Sequence, residues 1–450
     1  MSGKPITLVL GIISFAWLAG SFSDAQTDSE NILHTFAGKD GAVPEGLFFD
    51  RAGHMYGTTQ MGGSGPCTFP GKGCGEVFEA TPVRSPSGAI TWKKRVIYEF
   101  QGGSNDGEAP LAPLVMDSAG NLYGTTPWGG IGCGDGCGTV FQLRREGGQW
   151  VETVLYKFTG GSDGGTPESE VTLDSAGNIF GTTYNGGLRI CNQGFPCGVV
   201  YELQHTESGW VETVIHSFDY ADGADPVGGL VMDRAGNLYG VTPFGGQRRL
   251  DPYEPTGTIF ELSPTASGWS FQVLYRFPAG GGGSYAGLTI DASGNLYGTA
   301  NVGGIYGLGS VYELQPPTQH GMPWVFSTLL SFDFLNGIGP QTGVVLDPAG
   351  NVYGTAGGGT GQNCFQQGDC GLVFELSPSG GAWTETVLYD FQGGTDGEYA
   401  NSTPLLDPWG NLYGTTAYGG DANCIPFPQY YGCGIVYRIN RNAPETDSTK

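Results

Sequence analysis

Most side chains able to do chemistry in this chain recur in sets. Aspartates open a D-x-x-G turn, most often completed by Asn, at Asp50, Asp117, Asp174, Asp233, Asp291, Asp347 and Asp407. A carboxylate in that place could bind a metal or move a proton. An Asp heading such a turn also bonds the backbone two or three residues on, while Gly and Asn take the unusual dihedrals. A catalytic group is singular and this one repeats, so a turn role is expected. Asp106, Asp163 and Asp396, and more loosely Asp40 and Asp222, sit in Gly-Gly-x-Asp-Gly segments. Calcium needs several oxygens on one loop and each copy offers one or two, so turn geometry is expected here too.

Histidine is scarce. His34 and His216 stand where other copies carry Tyr, and His54 stands where they carry Asn, which reads as drift within a repeat. His205 and His320 fall between strand-like runs, and no Ser or Cys carries a nucleophile motif. A His-dependent triad is therefore not expected, and no catalytic residue, metal ligand or cofactor is assigned.

The cysteines fall as Cys67/Cys74, Cys133/Cys137, Cys191/Cys197, Cys364/Cys370 and Cys424/Cys433, each pair within one loop. Two copies of the repeat lack both members. Residues that vanish together are most simply bonded together, and disulfides persist outside the cytoplasm. Zinc would need about four ligands, and these loops contain no His. Each bridge is expected to contribute about 2–3 kcal/mol by closing a short Gly-rich loop.

Two features break the repetition. The position before Gly-Gly in the cysteine loop is Met61, Trp128, Asn185, Phe244, Val302, Gly358 and Tyr418. Trp128, Phe244 and Tyr418 thus share the face of the cysteine loops, where aromatics stack on sugars or anchor a protein, or else pack on the next copy. The fourth loop, GGQRRLDPYEPTG, carries Arg248, Arg249 and Tyr253. The arginines suit a carboxylate or sulfate, or a local salt bridge to Asp251 or Glu254.

What positions these groups is a sevenfold repeat. Its cores start near residues 50, 117, 174, 233, 291, 347 and 407. Each copy shows four strand-like runs, for example Leu114 to Asp117, Asn121 to Thr126, Gly138 to Leu143 and Trp150 to Phe158, separated by turn-forming residues. The fourth run keeps a Trp, then Tyr or His, then Phe, as in Trp150, Tyr156 and Phe158. The seventh copy lacks that run, whereas residues 31–38, NILHTFAG, match it ahead of the first copy. An all-β, seven-bladed β-propeller is expected, with four antiparallel strands per blade and an N-terminal strand closing the last blade.

Residues 1–25 read as a secretory signal: Lys4, an apolar run from Ile6 to Gly20, and small residues ending at Ala25. Residues 26–440 form one propeller domain and 441–450 a polar tail. Loss of Lys4 and Asp24 leaves the net charge at −24, which disfavours nucleic acid and anionic membrane surfaces. A monomer without a membrane span, secreted to the periplasm or beyond, is expected.

The motif Gly120 to Gly130, GNLYGTTPWGG, followed by Gly138 to Leu143, GTVFQL, resembles the GloVer-type tandem repeat of the "choice-of-anchor" secreted bacterial proteins. Gly410 to Gly420 with Gly434 to Ile439 repeats it, with Arg438 and Ile439 in place of the usual Glu-Leu. The resemblance covers residues 30 to 440 and implies an exported propeller-like protein without an assigned activity. Family members end in sorting or anchoring segments, while the tail NRNAPETDSTK is polar. A looser similarity links the D-x-x-G-N-L-Y turn to sensor propellers and to lactonase or lyase propellers.

The expected function is a binding module for an extracellular polysaccharide or protein. The alternative is a lyase- or glycosidase-like enzyme using funnel carboxylates such as Glu168, Glu170 or Glu398. A structural surface component is the third reading.

Overall fold

A computed structural model describes residues 29–441, apart from 68–71, 87–89, 190, 192–196, 247–255, 320, 362–363, 365–369 and 428–429. The strands form seven antiparallel sheets around an axis, each a blade. Blade 1 runs Ala42–Phe49, Met55–Met61, Glu76–Arg84, Ile90–Glu99. Blade 7 takes three strands from the chain's end, Leu405–Leu406, Leu412–Tyr418 and Ile435–Asn440, and its outer strand, Ser29–Thr35, from the beginning. That outer strand pairs antiparallel with Ile435–Asn440, so the predicted closure is present.

The segment around the central Gly of each second strand, L-Y-G-T in blades 2, 5 and 7, is buried throughout, as in Leu122–Thr126. Its Gly is required by the strand beside it. A Cβ on Gly124 would stand 2.7 Å from Phe141 Cζ, so the ring crosses where a side chain would be. The turn aspartates do what repetition implied. Asp117 Oδ1 accepts from the backbone amides of Ala119 and Asn121, and Oδ2 accepts from Asn121 Nδ2 and the Tyr123 hydroxyl. In blade 1, His54 Nδ1 takes the Asn role, 2.9 Å from Asp50 Oδ2.

The core lies between blades. The Phe ending each fourth strand meets, edge to face, the third-strand aromatic of the next blade: Phe100 on Phe141, Phe158 on Tyr201, Phe391 on Tyr437. Phe36 of the closing strand makes the same contact with Phe78. The fourth-strand Trp packs back on the preceding blade, Trp150 on Tyr56 and Trp92 on Tyr413. Such aromatic pairs contribute about 0.5–1.5 kcal/mol beyond their buried area.

First strands are shorter than the sequence suggests, only Val115–Met116 in blade 2. Above that ladder a stretch of chain leaves its own sheet and is bonded by the preceding blade, before the start of the strand pairs again, as Gly107–Glu108 does with Trp128–Gly129; in blade 1 the same place is a bulge between Pro44 and Leu47. Thr58 Oγ1 donates to Ala112 O, Thr125 to Ser169 O, Thr299 to Thr342 O, Thr355 to Ser402 O and Thr415 to Glu45 O. Blade 4 has Val241 at this position, and the orphaned acceptor, Ala286 O, is served instead by Ser284 Oγ at 3.1 Å.

Thr415→Val should therefore lower stability by about 1 kcal/mol in denaturant unfolding, because Val fits this position and what is lost is the hydroxyl's bond to Glu45 O across the seam together with its longer contact to Asn401 Oδ1. No change in the unfolding midpoint would mean that this bond does not hold blade 7 to blade 1.

Candidate functional site: the axial channel

The peeled stretches of the first strands converge on the axis and enclose a cavity of about 350 Å³, lined by all seven blades. Its acids are Glu45, Glu168 and Glu170, and its amides and hydroxyls include Gln341, Asn401, Thr403 and Tyr285, while no lining residue is Lys or Arg. The lining departs from sevenfold symmetry. At the level of Glu170, blades 4, 5 and 6 carry Gly229, Gly287 and Gly343. A Cβ on Gly229 would stand 2.5 Å from Glu170 Cγ, so glycine makes room for that acid.

No cation lines the cavity, so its carboxyls are held toward the neutral form. Burial pushes Glu45 up to about 8 and Glu170 up to about 7. Glu168 is raised to about 7 by burial and then by the charge of Asp225, which burial itself lifts to about 7. Tyr184 and Tyr285, both raised mainly by burial, face Asp225 as well. Behind the lining residues Glu168 and Tyr285 thus stand Asp225 and Tyr184, which brings two carboxyls and two phenols from blades 3, 4 and 5 to one side of the channel. Across it, Asn401 Nδ2 donates to Glu45 Oε2 at 3.2 Å, and the Tyr399 hydroxyl donates to Gln341 Oε1 at 3.2 Å.

Asp225 and Tyr399 hold positive φ, 58° and 64°, but so do Val43, Ala109 and Thr166 at matching points of other blades. That backbone shape belongs to the repeat, and only the side chains it presents are special.

Two of the three aromatics expected on the loop face, Phe244 and Tyr418, form a second tier behind this mouth. Phe244 packs edge-on against Tyr285 with centroids 5.9 Å apart, and Tyr418 stacks on Tyr430 at 4.1 Å and lies 6.2 Å from Tyr399. Trp128 is half-buried, its backbone paired with Glu108. Arg248, Arg249 and Tyr253 lie outside the described residues. Of the funnel carboxylates expected, Glu168 and Glu170 line the cavity, and Glu398 does not. Glu398 is buried on a short strand opposite Tyr418, as Glu108 is opposite Trp128, so it is a repeat position rather than a channel acid. Glu45, Asp225, Tyr184, Tyr285 and Tyr399 were missed, although the variable positions just upstream of each turn Asp carry the signal for most of them.

All five disulfides are formed: Cys67–Cys74, Cys133–Cys137, Cys191–Cys197, Cys364–Cys370 and Cys424–Cys433. The second cysteine of each is fully buried, as in Cys137 and Cys433. Blades 4 and 5 put Thr256 and Leu308 there, where Thr256 Oγ1 donates to Gly245 O at 2.6 Å and Leu308 packs into the core. The Gly-Gly-x-Asp-Gly aspartates cap the fourth strand. Tyr98 and Tyr156 donate to Asp106 and Asp163, and His34 and His216 keep the same contact with Asp40 and Asp222 at 2.8 and 3.0 Å. Among the described residues, no group of three or more His, Cys, Asp or Glu is placed to share a metal ion.

Asp225→Asn should lower the titration midpoint of Glu168 from about 7, while burial still holds it above an ordinary carboxyl. Infrared difference spectra of the carboxyl stretch would read this, and an unmoved midpoint would refute the pairing of the two groups.

Solved structures resemble the chain at low identity. A putative gluconolactonase is 11% identical, with 92% of each chain covered and a TM-score of 0.37. The periplasmic gluconolactonase of Pseudomonas aeruginosa is 15% identical over 77% of this chain and 84% of its own, with a TM-score of 0.43. A luciferin-regenerating enzyme is 12% identical over 92% and 95%, with a TM-score of 0.40. No protein with a curated description matches. The profile of the Gloeobacter/Verrucomicrobia repeat does match, over residues 21–195 and 189–427, and the chain belongs to that repeat family.

Proposed function

We propose that the protein is an exported, non-catalytic binding module that takes part of a saccharide chain into the mouth of its axial channel. The observation that carries this is the cavity lining, which offers acids, amides, hydroxyls and Tyr285 without a cation. Sugars are bound by such groups, hydroxyls bridged by amides and carboxyls while an aromatic face covers the ring. The chain's net charge of −24 disfavours polyanionic chains, so a neutral or amino-sugar polymer suits the site best. Five disulfides support an oxidising compartment, and among the described residues no helix is long and apolar enough to cross a membrane.

A second reading rests on the raised carboxyls. Glu168, raised to about 7 beside Asp225, has the protonation of a general acid for glycoside cleavage. One experiment separates the two. The purified protein is incubated with a panel of polysaccharides, following both its depletion from solution and the release of reducing or unsaturated ends. Depletion without product, weakened roughly tenfold or more by Tyr285→Ala and Tyr399→Ala, is expected. Product release abolished by Glu168→Gln would replace the binding reading with the enzymatic one. Neither signal would sink both and leave a protein partner or a structural role.

A further inference from the structure

The fourth strands meet their neighbours through a recurring polar contact, and at the ring's closure it has one hydrogen too few. Tyr389 of blade 6 donates to Asp396 Oδ1 at 2.6 Å and also stands 3.4 Å from Glu30 Oε2 on the closing strand. Asp396 Oδ2 already accepts from the Gln392 amide. The carboxyls of Glu30 and Asp396 thus meet on one phenol, and Glu30 Oε1 is buried with no partner. Two ionised carboxylates have only acceptors to offer each other, and one phenol proton cannot serve both. A further proton between them would supply the missing donor.

We propose that ring closure is locked by a proton shared between Glu30 of the closing strand and Asp396 of blade 6, so that Ser29–Thr35 is held in acid and neutral media and loosens in alkaline ones. The groups facing Glu30 are Asp396, Tyr389 and Tyr437, all acids, with no cation among them. Burial first, and then Asp396, raise Glu30 from its ordinary 4.5 to about 8. The unfolded strand releases this proton near 4.5 while the closed ring keeps it to about 8. Closure is therefore favoured fully below the lower value and loses that advantage as pH rises through the upper one.

The other seams serve as internal comparisons. Glu152 faces Asp106 and Tyr98, with Lys157 nearby, and Glu212 faces Asp163, Tyr156 and Tyr201. Both keep a buried, unpartnered Oε1, as Glu30 does. Their strands are held by chain at both ends, whereas Ser29–Thr35 joins the ring only at Phe36 within the described residues. On the opposite side of blade 7 the same position is Lys94, which is bonded to Glu76 at 2.8 Å and to Asp40 O. Asp40 is held down to about 2 despite its burial, through His34, the Ala37 amide and Lys94. One flank of the closing strand is thus satisfied by a fixed cation and the other by a titratable proton.

The test is hydrogen exchange of residues 29–35 in the intact protein with EDTA, at about pH 6 and pH 9, corrected for intrinsic exchange. Protection should fall roughly tenfold or more at the higher pH. In Glu30→Gln the side-chain amide donates to Asp396 at any pH, so protection should stay within about twofold, and Asp396→Asn should behave alike. Glu152→Gln should keep the wild-type response in this strand. Equal protection at both pH values, or a loss in Glu30→Gln as large as in the wild type, would overturn the proposal. So would a loss that calcium reverses, which would mean that the carboxylates hold a cation.

Discussion

Everything in this molecule depends on one pairing, that of residues 29–35 with residues 435–440. A propeller blade buries its faces only against its neighbours, so an open array would leave two faces and two strand edges exposed. Drawing the last blade from both ends of the chain removes the edge and makes each seam equivalent. The seam between blades 7 and 1 shows this in detail. Phe36 meets Phe78 as Phe100 meets Phe141, and Thr415 serves Glu45 O as Thr58 serves Ala112 O. The same bond that ties blades together also pulls the first strands off their sheets, and the cavity on the axis is the space they enclose.

The architecture was legible because it is repeated. Alternation within Gln149–Lys157, the glycine of L-Y-G-T and the turn aspartates each occur in copy after copy, so a weak local signal becomes a strong one. The circular offset of residues 31–38 was equally readable, since it is the missing copy of a pattern already known. The short first strands were not. Their ladder is broken by Thr hydroxyls of the preceding blade, a contact 43 to 54 residues away in sequence for which no local pattern exists.

The candidate site was legible only in part, for the opposite reason. What matters there is what does not repeat, and one sequence offers few means of telling a meaningful departure from drift. Glu168 and Glu170 stood out because acids are rare on buried inner strands. Trp128, Phe244 and Tyr418 stood out as large aromatics, yet Phe244 and Tyr418 prop the channel mouth from behind. Glu398 misled because its counterpart, Glu108, lay unrecognised in another blade. The glycines at 229, 287 and 343 carried information of a different kind, since their meaning is the volume they leave vacant.

The bridges add an order of events. Each disulfide spans between 4 and 9 residues, whereas Thr415 and Glu45 are 370 apart. Each bridge can thus be made as soon as its own blade emerges, from cysteines that are nearest neighbours, which leaves little opening for mispairing. The circle, by contrast, waits for the last strand to appear. Maturation of this chain is local in its covalent chemistry and global in its final step, and a chain cut short just before residue 435 would carry all five crosslinks yet never become a ring.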